Sequence, residues 1–168
     1  LETTRKLARK NIEALMAPNP DVIVTACPTC AETLLEYGDL LRNDPQWTEK
    51  AAAMSKIVRE FSSFVAEKYR EQGRLTKTTK GPKVTYHDSC HLKKSLGVVS
   101  QPRAVMAANP AYKVVEMAEP DRCCGCGGSF NLFHYDYSRK IGQRKRDNVV
   151  ASRAEVVAAG CPACMMQL

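Results

Sequence analysis

The cysteines are the residues of this sequence whose type and spacing could do chemistry. The chain of 168 residues has eight of them, or about 5%. That share is below the roughly 8–10% typical of small disulfide scaffolds, so reduced thiols are expected. The cysteines fall into four groups. These are Cys27 with Cys30, Cys90 alone, Cys123 with Cys124 and Cys126, and Cys161 with Cys164.

An iron–sulfur site explains most of this spacing, because such clusters are held by thiolates and commonly by Cys-x-x-Cys pairs. A vicinal pair is a poor chelate for one tetrahedral ion but can ligate two irons of one cluster. Glycines beside the pair allow tight turns close to the ligands. The five candidate ligands are Cys90, Cys123, Cys124, Cys161 and Cys164, and the candidate cluster-binding glycines are Gly125, Gly127 and Gly128.

Three other interpretations remain open. Four thiolates in two Cys-x-x-Cys pairs would suffice for structural zinc, although Cys30 and Cys161 are much further apart than in the usual zinc motifs. A Cys-Pro-x-Cys motif between a strand and a helix is also the setting of thioredoxin-like thiol–disulfide chemistry. Structural disulfides are the remaining alternative.

The elements that must position these thiols alternate between strands and helices, which predicts an α/β fold with parallel sheet layers flanked by helices. A strand precedes each main cysteine group, so the groups should meet at the carboxyl edge of a sheet. The predicted strands are 22–26, 83–87, 112–117 and 154–160, and the predicted helices are 3–17, 31–37, 46–72, 100–109 and 131–152, with Gly38 as a stop and a basic polar loop over 73–82.

The chain also contains an internal repeat. A shift of 134 residues places Cys27-Pro28-x-Cys30 on Cys161-Pro162-x-Cys164 and Asp21-Val22 on Glu155-Val156. A helix, a strand and a Cys-Pro-x-Cys motif therefore occur twice. The vicinal cysteine pair precedes only the second copy, so we expect the first copy to be truncated, with Cys27 and Cys30 as half of a second site.

The pattern Cys90…Cys123-Cys124-Gly125…Cys161-x-x-Cys164 resembles the cysteine-rich CCG domain. That domain occurs in one of the subunits of heterodisulfide reductase and in iron–sulfur subunits of glycolate, lactate and anaerobic glycerol-3-phosphate dehydrogenases. The resemblance implies the tail of a first CCG repeat over 1–40, a helical connector and basic loop over 41–82, and a complete second repeat over 83–168. It also implies a [4Fe–4S] cluster on the five cysteines, with zinc as the alternative.

The resemblance implies a function as well: an iron–sulfur electron-transfer component of a multi-subunit oxidoreductase that oxidises lactate or glycolate. The alternatives are a heterodisulfide-reductase-like catalytic subunit and a zinc-binding interaction domain. The implied partners are other redox subunits, namely a flavin dehydrogenase and a ferredoxin-like domain, with quinone reached through a partner. The implied location is cytoplasmic, including the inner face of the membrane.

The remaining features are less specific. His87 and His91 flank Cys90 and suit either a site or plain structure, and Cys126 is interpreted as a spare thiol. The net charge of +7 and the basic stretch 139–153 indicate a solvated helix face that could dock an acidic redox partner. No known nucleic-acid module accompanies this charge, and no apolar stretch is long enough for a membrane span.

Overall fold

Helices alternate with short parallel strands in a computed structural model that describes residues 1–74 and 80–168. The chain divides into two compact units, 1–61 and 62–168. In the first unit the elements are α1 (Glu2–Met16), β1 (Ile23–Thr25), α2 (Pro28–Leu35), α3 (Tyr37–Leu40), α4 (Thr48–Ile57) and β2 (Val58–Glu60). Strands β1 and β2 pair in parallel. Ala8, Ile12, Met54 and Val58 are among the buried residues of its core.

The predicted helix over 46–72 is wrong, because β2 interrupts it. Val58 is β-branched and 2% exposed, and it pairs with Ile23 of β1. A β-branched residue suits a pleated strand better than a helix, and the pairing with β1 buries it. The apolar residues before and after β2 therefore belong to two separate helices. Gly38 does not stop a helix either, since it lies inside α3.

The second unit contains the remaining cysteine groups. Its elements are α5 (Phe61–Glu71, which begins at the last residue of the first unit), β3 (Lys83–His87), a π-helical turn (His91–Ser95), α6 (Ser100–Ala107), β4 (Lys113–Val114), α7 (Phe130–Phe133), α8 (Tyr135–Ala151), β5 (Val156–Ala159) and α9 (Pro162–Gln167). The predicted helix over 131–152 is thus divided at His134. The predicted basic loop over 73–82 lies in part outside the described residues.

A three-stranded parallel sheet, in the order β4–β3–β5, organises this unit. The prediction of a parallel α/β arrangement is confirmed. The central strand β3 has the predicted bounds, whereas β4 and β5 are shorter than predicted. His87, the last residue of β3, pairs with Ala159, the last residue of β5. The two strands therefore end side by side, and the segments that follow them leave from one edge.

The internal repeat is visible in the backbone. Shifted by 134 residues, α1, β1 and α2 fall on α8, β5 and α9. Asn19 and Arg153, which correspond under this shift, both have positive φ, at 50° and 54°. Cys27 and Cys161 both cap a helix with extended backbone and are followed by proline in the first turn. The two Cys-Pro-x-Cys segments are thus the same local structure.

A buried lysine fixes the segment that leads into the vicinal cysteines. Lys145 of α8 is fully buried, and its Nζ donates to the carbonyl oxygens of Glu119 at 2.7 Å and Pro120 at 3.1 Å. Burial lowers the pKa of Lys145. Lys145 is therefore an exception to the predicted solvated basic face, because it connects α8 to this loop inside the protein.

Replacing Lys145 by Met should destabilise the fold by about 1–3 kcal/mol, because the two buried carbonyls lose their donor while the side-chain volume is kept. Urea unfolding measures the difference. The control is Arg146→Met, at the exposed neighbouring position, where we expect a change within about 0.5 kcal/mol. Equal effects of the two substitutions would contradict an internal role for Lys145.

Candidate metal centre

Three chain segments place cysteine and histidine side chains at the carboxyl edge of the three-stranded sheet. His87 ends β3, Cys161 follows β5 by two residues, and Cys124 lies in the loop between β4 and α7. Parallel strands place their carboxyl ends together, and ligand sites form there. The proline after Cys161 begins α9, whose first turn contains Cys164.

His87, Cys124 and Cys164 form a close buried group. An imidazole nitrogen and the two Sγ atoms all lie within 4.8 Å of one another. Ligands about 2.0–2.3 Å from one ion lie within about 4.6 Å of each other, so a small closure would complete a metal site. The group is nearly inaccessible, because His87 is 1%, Cys124 3% and Cys164 7% exposed. Cys161 and Cys126 are buried in the same cluster.

The two thiols of this group are electrostatically coupled. Hydrogen bonding from Cys164, and after it from His87, lowers the pKa of Cys124 and outweighs the opposing effect of burial. Hydrogen bonding to Cys124, together with burial, raises the pKa of Cys164. The pair therefore favours one thiolate and one thiol that share a proton. A cation can replace that proton, since metal ligation requires thiolates.

The loop that carries Cys124 is pressed against α8. Gly125 has φ +97°, and a Cβ there would lie 2.5 Å from the carbonyl oxygen of Ser138. Ser138 Oγ donates to the carbonyl oxygen of Gly125 at 2.9 Å, and Gln167 Nε2 donates to Ser138 Oγ at 3.2 Å. The glycine after the cysteine pair is thus required both by its backbone conformation and by its close approach to the helix.

The other glycines of the loop serve its turns. Gly127 and Gly128 have φ of +56° and +64°. The amide of Gly125 donates to Cys123 Sγ at 3.3 Å. Backbone amides directed at cysteine sulfur are one of the means by which proteins tune iron–sulfur centres. The prediction of tight turns at these glycines is confirmed, and their contact with a cluster stays a prediction.

The structure brings some of the predicted ligands together and not others. Cys124, Cys161 and Cys164 lie in one buried cluster, whereas Cys90 and Cys123 are exposed. Both exposed thiols remain near by chain connectivity, because Cys123 adjoins Cys124 and Cys90 follows His87 by three residues. None of the eight cysteines, all of which lie within the described residues, forms a disulfide.

The first Cys-Pro-x-Cys pair lies in the other unit. Cys27 caps α2 directly after β1, and Cys30 is exposed in the first turn of that helix. Strand β1 belongs to the two-stranded sheet rather than to the sheet that carries the candidate metal ligands. Cys27 and Cys30 therefore follow a different sheet from the other cysteine groups. Their role as half of a second site stays a prediction.

His87 is the member of the group that sequence reasoning left undecided. A histidine in a strand suits plain structure as well as a site, and nothing in its spacing resembles a known ligand motif. The signal that could have singled it out is its place as the last residue of β3, at the same edge as the cysteines. Its exposed fraction and its neighbours are properties of the folded chain alone.

The residues present suit an iron–sulfur or other thiophilic metal centre. Thiolates and imidazole are soft or borderline ligands that select such metals over Mg²⁺ or Ca²⁺. Three buried polar atoms on alternate residues of and just beyond β3 have no partner among the described residues. These are Thr85 Oγ1, His87 Nδ1 and Ser89 Oγ. Buried groups without partners are costly, and a sulfur-rich group bound beside His87 would offer its ring an acceptor.

Gly125→Ala should disrupt the centre, because the new Cβ meets backbone at 2.5 Å at a position with positive φ. We expect a loss of about 3 kcal/mol or more from strain and overpacking together. Thermal unfolding and metal uptake measure it.

The matched control for that substitution is Gly128→Ala, which has φ +64° but open space around its Cβ position. Its cost should be limited to the conformational term of about 1–2 kcal/mol. If Gly128→Ala were as damaging as Gly125→Ala, the packing of the loop on α8 would not explain the requirement for glycine.

The chain belongs to the cysteine-rich domain family called CCG, whose sequence profile matches residues 2–34 and 84–168. The resemblance expected from the motif is therefore confirmed. The matched segments include the group at the sheet edge and the first Cys-Pro-x-Cys pair.

Similar proteins include components of oxidoreductases. The chain is 35% identical over 167 residues to a "Probable glycolate oxidase iron-sulfur subunit" of Bacillus subtilis, covering 99% of the chain. It is 29% identical over 168 residues to lactate utilization protein A of Oceanobacillus iheyensis, covering 100% of the chain. It is also 29% identical over 172 residues, and 99% of its length, to a component of the dihydromethanophenazine:CoB–CoM heterodisulfide reductase of Methanosarcina barkeri.

The chain spans 37% of the length of the Bacillus protein, 67% of the Oceanobacillus protein and 40% of the Methanosarcina protein. Within residues 1–74 and 80–168, no helix is both long and apolar enough to cross a bilayer.

Proposed function

We propose that this chain is the electron-transferring part of an iron–sulfur subunit in an oxidoreductase that oxidises a 2-hydroxy acid, lactate or glycolate. The observation that carries the proposal is the buried group of Cys124, Cys164 and His87, with Cys161 beside it, at the carboxyl edge of a parallel sheet. The relatives named for glycolate oxidase and lactate utilization supply the substrate class.

In this proposal the buried cysteines Cys124, Cys161 and Cys164 hold the centre, and the exposed Cys90 and Cys123 complete it. An iron–sulfur cluster bound there supplies one-electron transfer. The residues around it exclude water, because Cys124 and Cys164 are nearly inaccessible. Gly125, held by Ser138, fixes the loop so that the sulfur of Cys124 keeps its place.

Anaerobic reconstitution with iron and sulfide tests this proposal. The wild-type chain should take up both and give a reducible EPR signal. Cys124→Ser should abolish the signal, because a buried member of the close group is lost. Cys126→Ser is the control: this thiol is buried in the same cluster but is interpreted as a spare rather than a ligand, so the variant should keep the EPR signal.

Uptake of one zinc ion per chain without iron would contradict the proposal. It would favour instead a zinc-stabilised interaction domain, which the compact N,S,S group could also serve.

A second candidate is disulfide reduction, favoured by the similarity to the heterodisulfide reductase component and by the exposure of Cys90 and Cys123. Exposed sulfur next to a buried redox centre is accessible to a substrate disulfide. Two electrons and two protons would convert one disulfide to two thiols. Turnover of a mixed disulfide with a chemical electron donor, lost in Cys123→Ser, would support this candidate over the first.

The electron partner proposed here is a flavin dehydrogenase subunit or a ferredoxin-like domain with an acidic rim, and quinone is reached only through a partner. The docking surface is the α7–α8 face, defined by Leu132, Phe133, Tyr135 and Tyr137. All four are exposed, Leu132 and Phe133 by 78% and 79%. Side chains exposed to this extent do not belong to a packed core.

The α7–α8 face combines apolar area and positive charge, and it lies close to the loop that carries the vicinal cysteines. The charged groups of Arg139 and Lys140 lie 5.9 Å from the ring centroids of Tyr135 and Tyr137. The amide of Asn131 in α7 donates to the carbonyl oxygen of Cys126, so the face continues directly from the cysteine loop. An apolar centre with a basic rim suits an acidic partner, whose approach would be steered by charge.

The double variant Leu132→Ser/Phe133→Ser should weaken binding of the flavin dehydrogenase subunit at least about tenfold, the equivalent of roughly 1.4 kcal/mol. Isothermal titration calorimetry with the chain in its iron–sulfur-loaded form measures the affinity, and higher salt should weaken binding further. Leu7→Ser, an exposed leucine of α1, is the control and should bind unchanged. Equal affinities of the double variant and the control would rule out the α7–α8 face.

A further inference from the structure

We propose that His87 is a positioning residue for the metal centre: its ring N–H donates a hydrogen bond to the thiolate sulfur of Cys124 and so raises the reduction potential of the centre. This inference deepens the proposed function and rests on a redox-active centre being bound at Cys124 and Cys164. It assigns a specific task to the residue that the cysteine pattern alone leaves without one.

The position of His87 supports this assignment first. The imidazole lies within 4.8 Å of both Cys124 Sγ and Cys164 Sγ and is almost completely buried. The backbone of His87 is fixed by pairing with Ala159, which itself packs against the cysteine cluster. Strand pairing thus fixes the point from which the side chain leaves the backbone, and burial leaves the ring little room to rotate away from the sulfurs.

Three buried polar atoms without partners in the described part of the chain, one of them in the ring, support the assignment further. His87 Nδ1 is buried without a partner among the described residues, as are Thr85 Oγ1 and Ser89 Oγ two residues before and after it. Alternate residues of a strand share a face, so Thr85 and His87 form a polar row on one side of β3, and Ser89 lies two residues beyond the end of the strand. A buried polar row costs free energy unless a bound group satisfies it. A sulfur-rich centre is such a group, whereas a purely structural histidine would be paired within the protein.

The consequence for the centre follows from charge. Reduction adds negative charge, and a hydrogen bond to a ligand sulfur stabilises that charge in a site from which water is excluded. Loss of the donor should therefore lower the reduction potential. A residue that merely filled space would leave the potential unchanged as long as the centre remained bound.

The test compares His87→Gln, which keeps a donor, with His87→Leu, which removes it at similar volume. The wild-type chain and each variant are reconstituted anaerobically, iron and sulfide are counted, and the midpoint potential is measured by EPR-monitored titration. We expect His87→Leu to lower the potential and His87→Gln to stay between it and the wild type. His134→Gln, at an exposed ring whose centroid lies 5.2 Å from that of Phe130, is the control and should match the wild type.

Each result distinguishes this inference from the function on which it rests. A wild-type centre whose potential is unchanged in His87→Leu overturns the inference and leaves the proposed function standing. A strong ¹⁴N hyperfine coupling that disappears in both His87 variants also overturns it, because the imidazole would then be a direct ligand.

Variants that lose the centre are resolved by a further measurement. If His87→Leu binds no iron but keeps the wild-type circular dichroism and melting temperature, His87→Gln decides: a retained centre with a shifted potential supports the donor role, and an identical potential contradicts it. Should the wild-type chain itself bind no iron and sulfide, the proposed function and this inference both fail.

Discussion

Burial of two cysteine sulfurs and an imidazole against one another is the constraint on which the rest of this structure depends. Cys124, Cys164 and His87 converge at the carboxyl edge of a three-stranded sheet, almost out of reach of water. Thiolates in such surroundings are unfavourable unless a cation compensates them. Within the protein itself, the hydrogen bond between the two thiols lowers the pKa of Cys124 and raises that of Cys164. The two sulfurs therefore keep one proton between them.

The surrounding elements serve to hold that group. Pairing of β3 with β5 fixes His87, and the Cys-Pro-x-Cys turn places Cys164 in the first turn of α9. The cysteine loop is held from α8 by two separate contacts, one from Ser138 to Gly125 and one from Lys145 to the carbonyls before the loop. The same helix continues into the basic face beside the exposed α7 residues. Helix α8 thus contacts the cysteine loop and also carries part of the surface proposed for the electron partner.

Much of this arrangement could be predicted from the sequence. Strand β3 has the predicted bounds, and the repeat of helix, strand and Cys-Pro-x-Cys appears in the backbone, where Asn19 and Arg153 both have positive φ. Local patterns of this kind depend on residues that are neighbours in the chain, so the sequence alone is enough to predict them. The family assignment also followed from cysteine spacing that few other functions would require.

What the sequence could not predict depends on tertiary contacts. Strand β2 was hidden inside a helical period, because only its pairing with β1 makes Val58 a strand residue. Lys145 belongs to a charged run, yet the carbonyls of Glu119 and Pro120 draw it into the interior. The place of His87 beside Cys124, and the exposure of Cys90 and Cys123, likewise follow from which strands and loops adjoin.

Anomalous diffraction from crystals of the anaerobically reconstituted chain, recorded at the iron and zinc absorption edges, tests the central claim most directly. We predict iron density in contact with Cys124 and Cys164, at the carboxyl edge of the β4–β3–β5 sheet. Iron density elsewhere in the chain, or zinc density alone at these two cysteines, would contradict that claim.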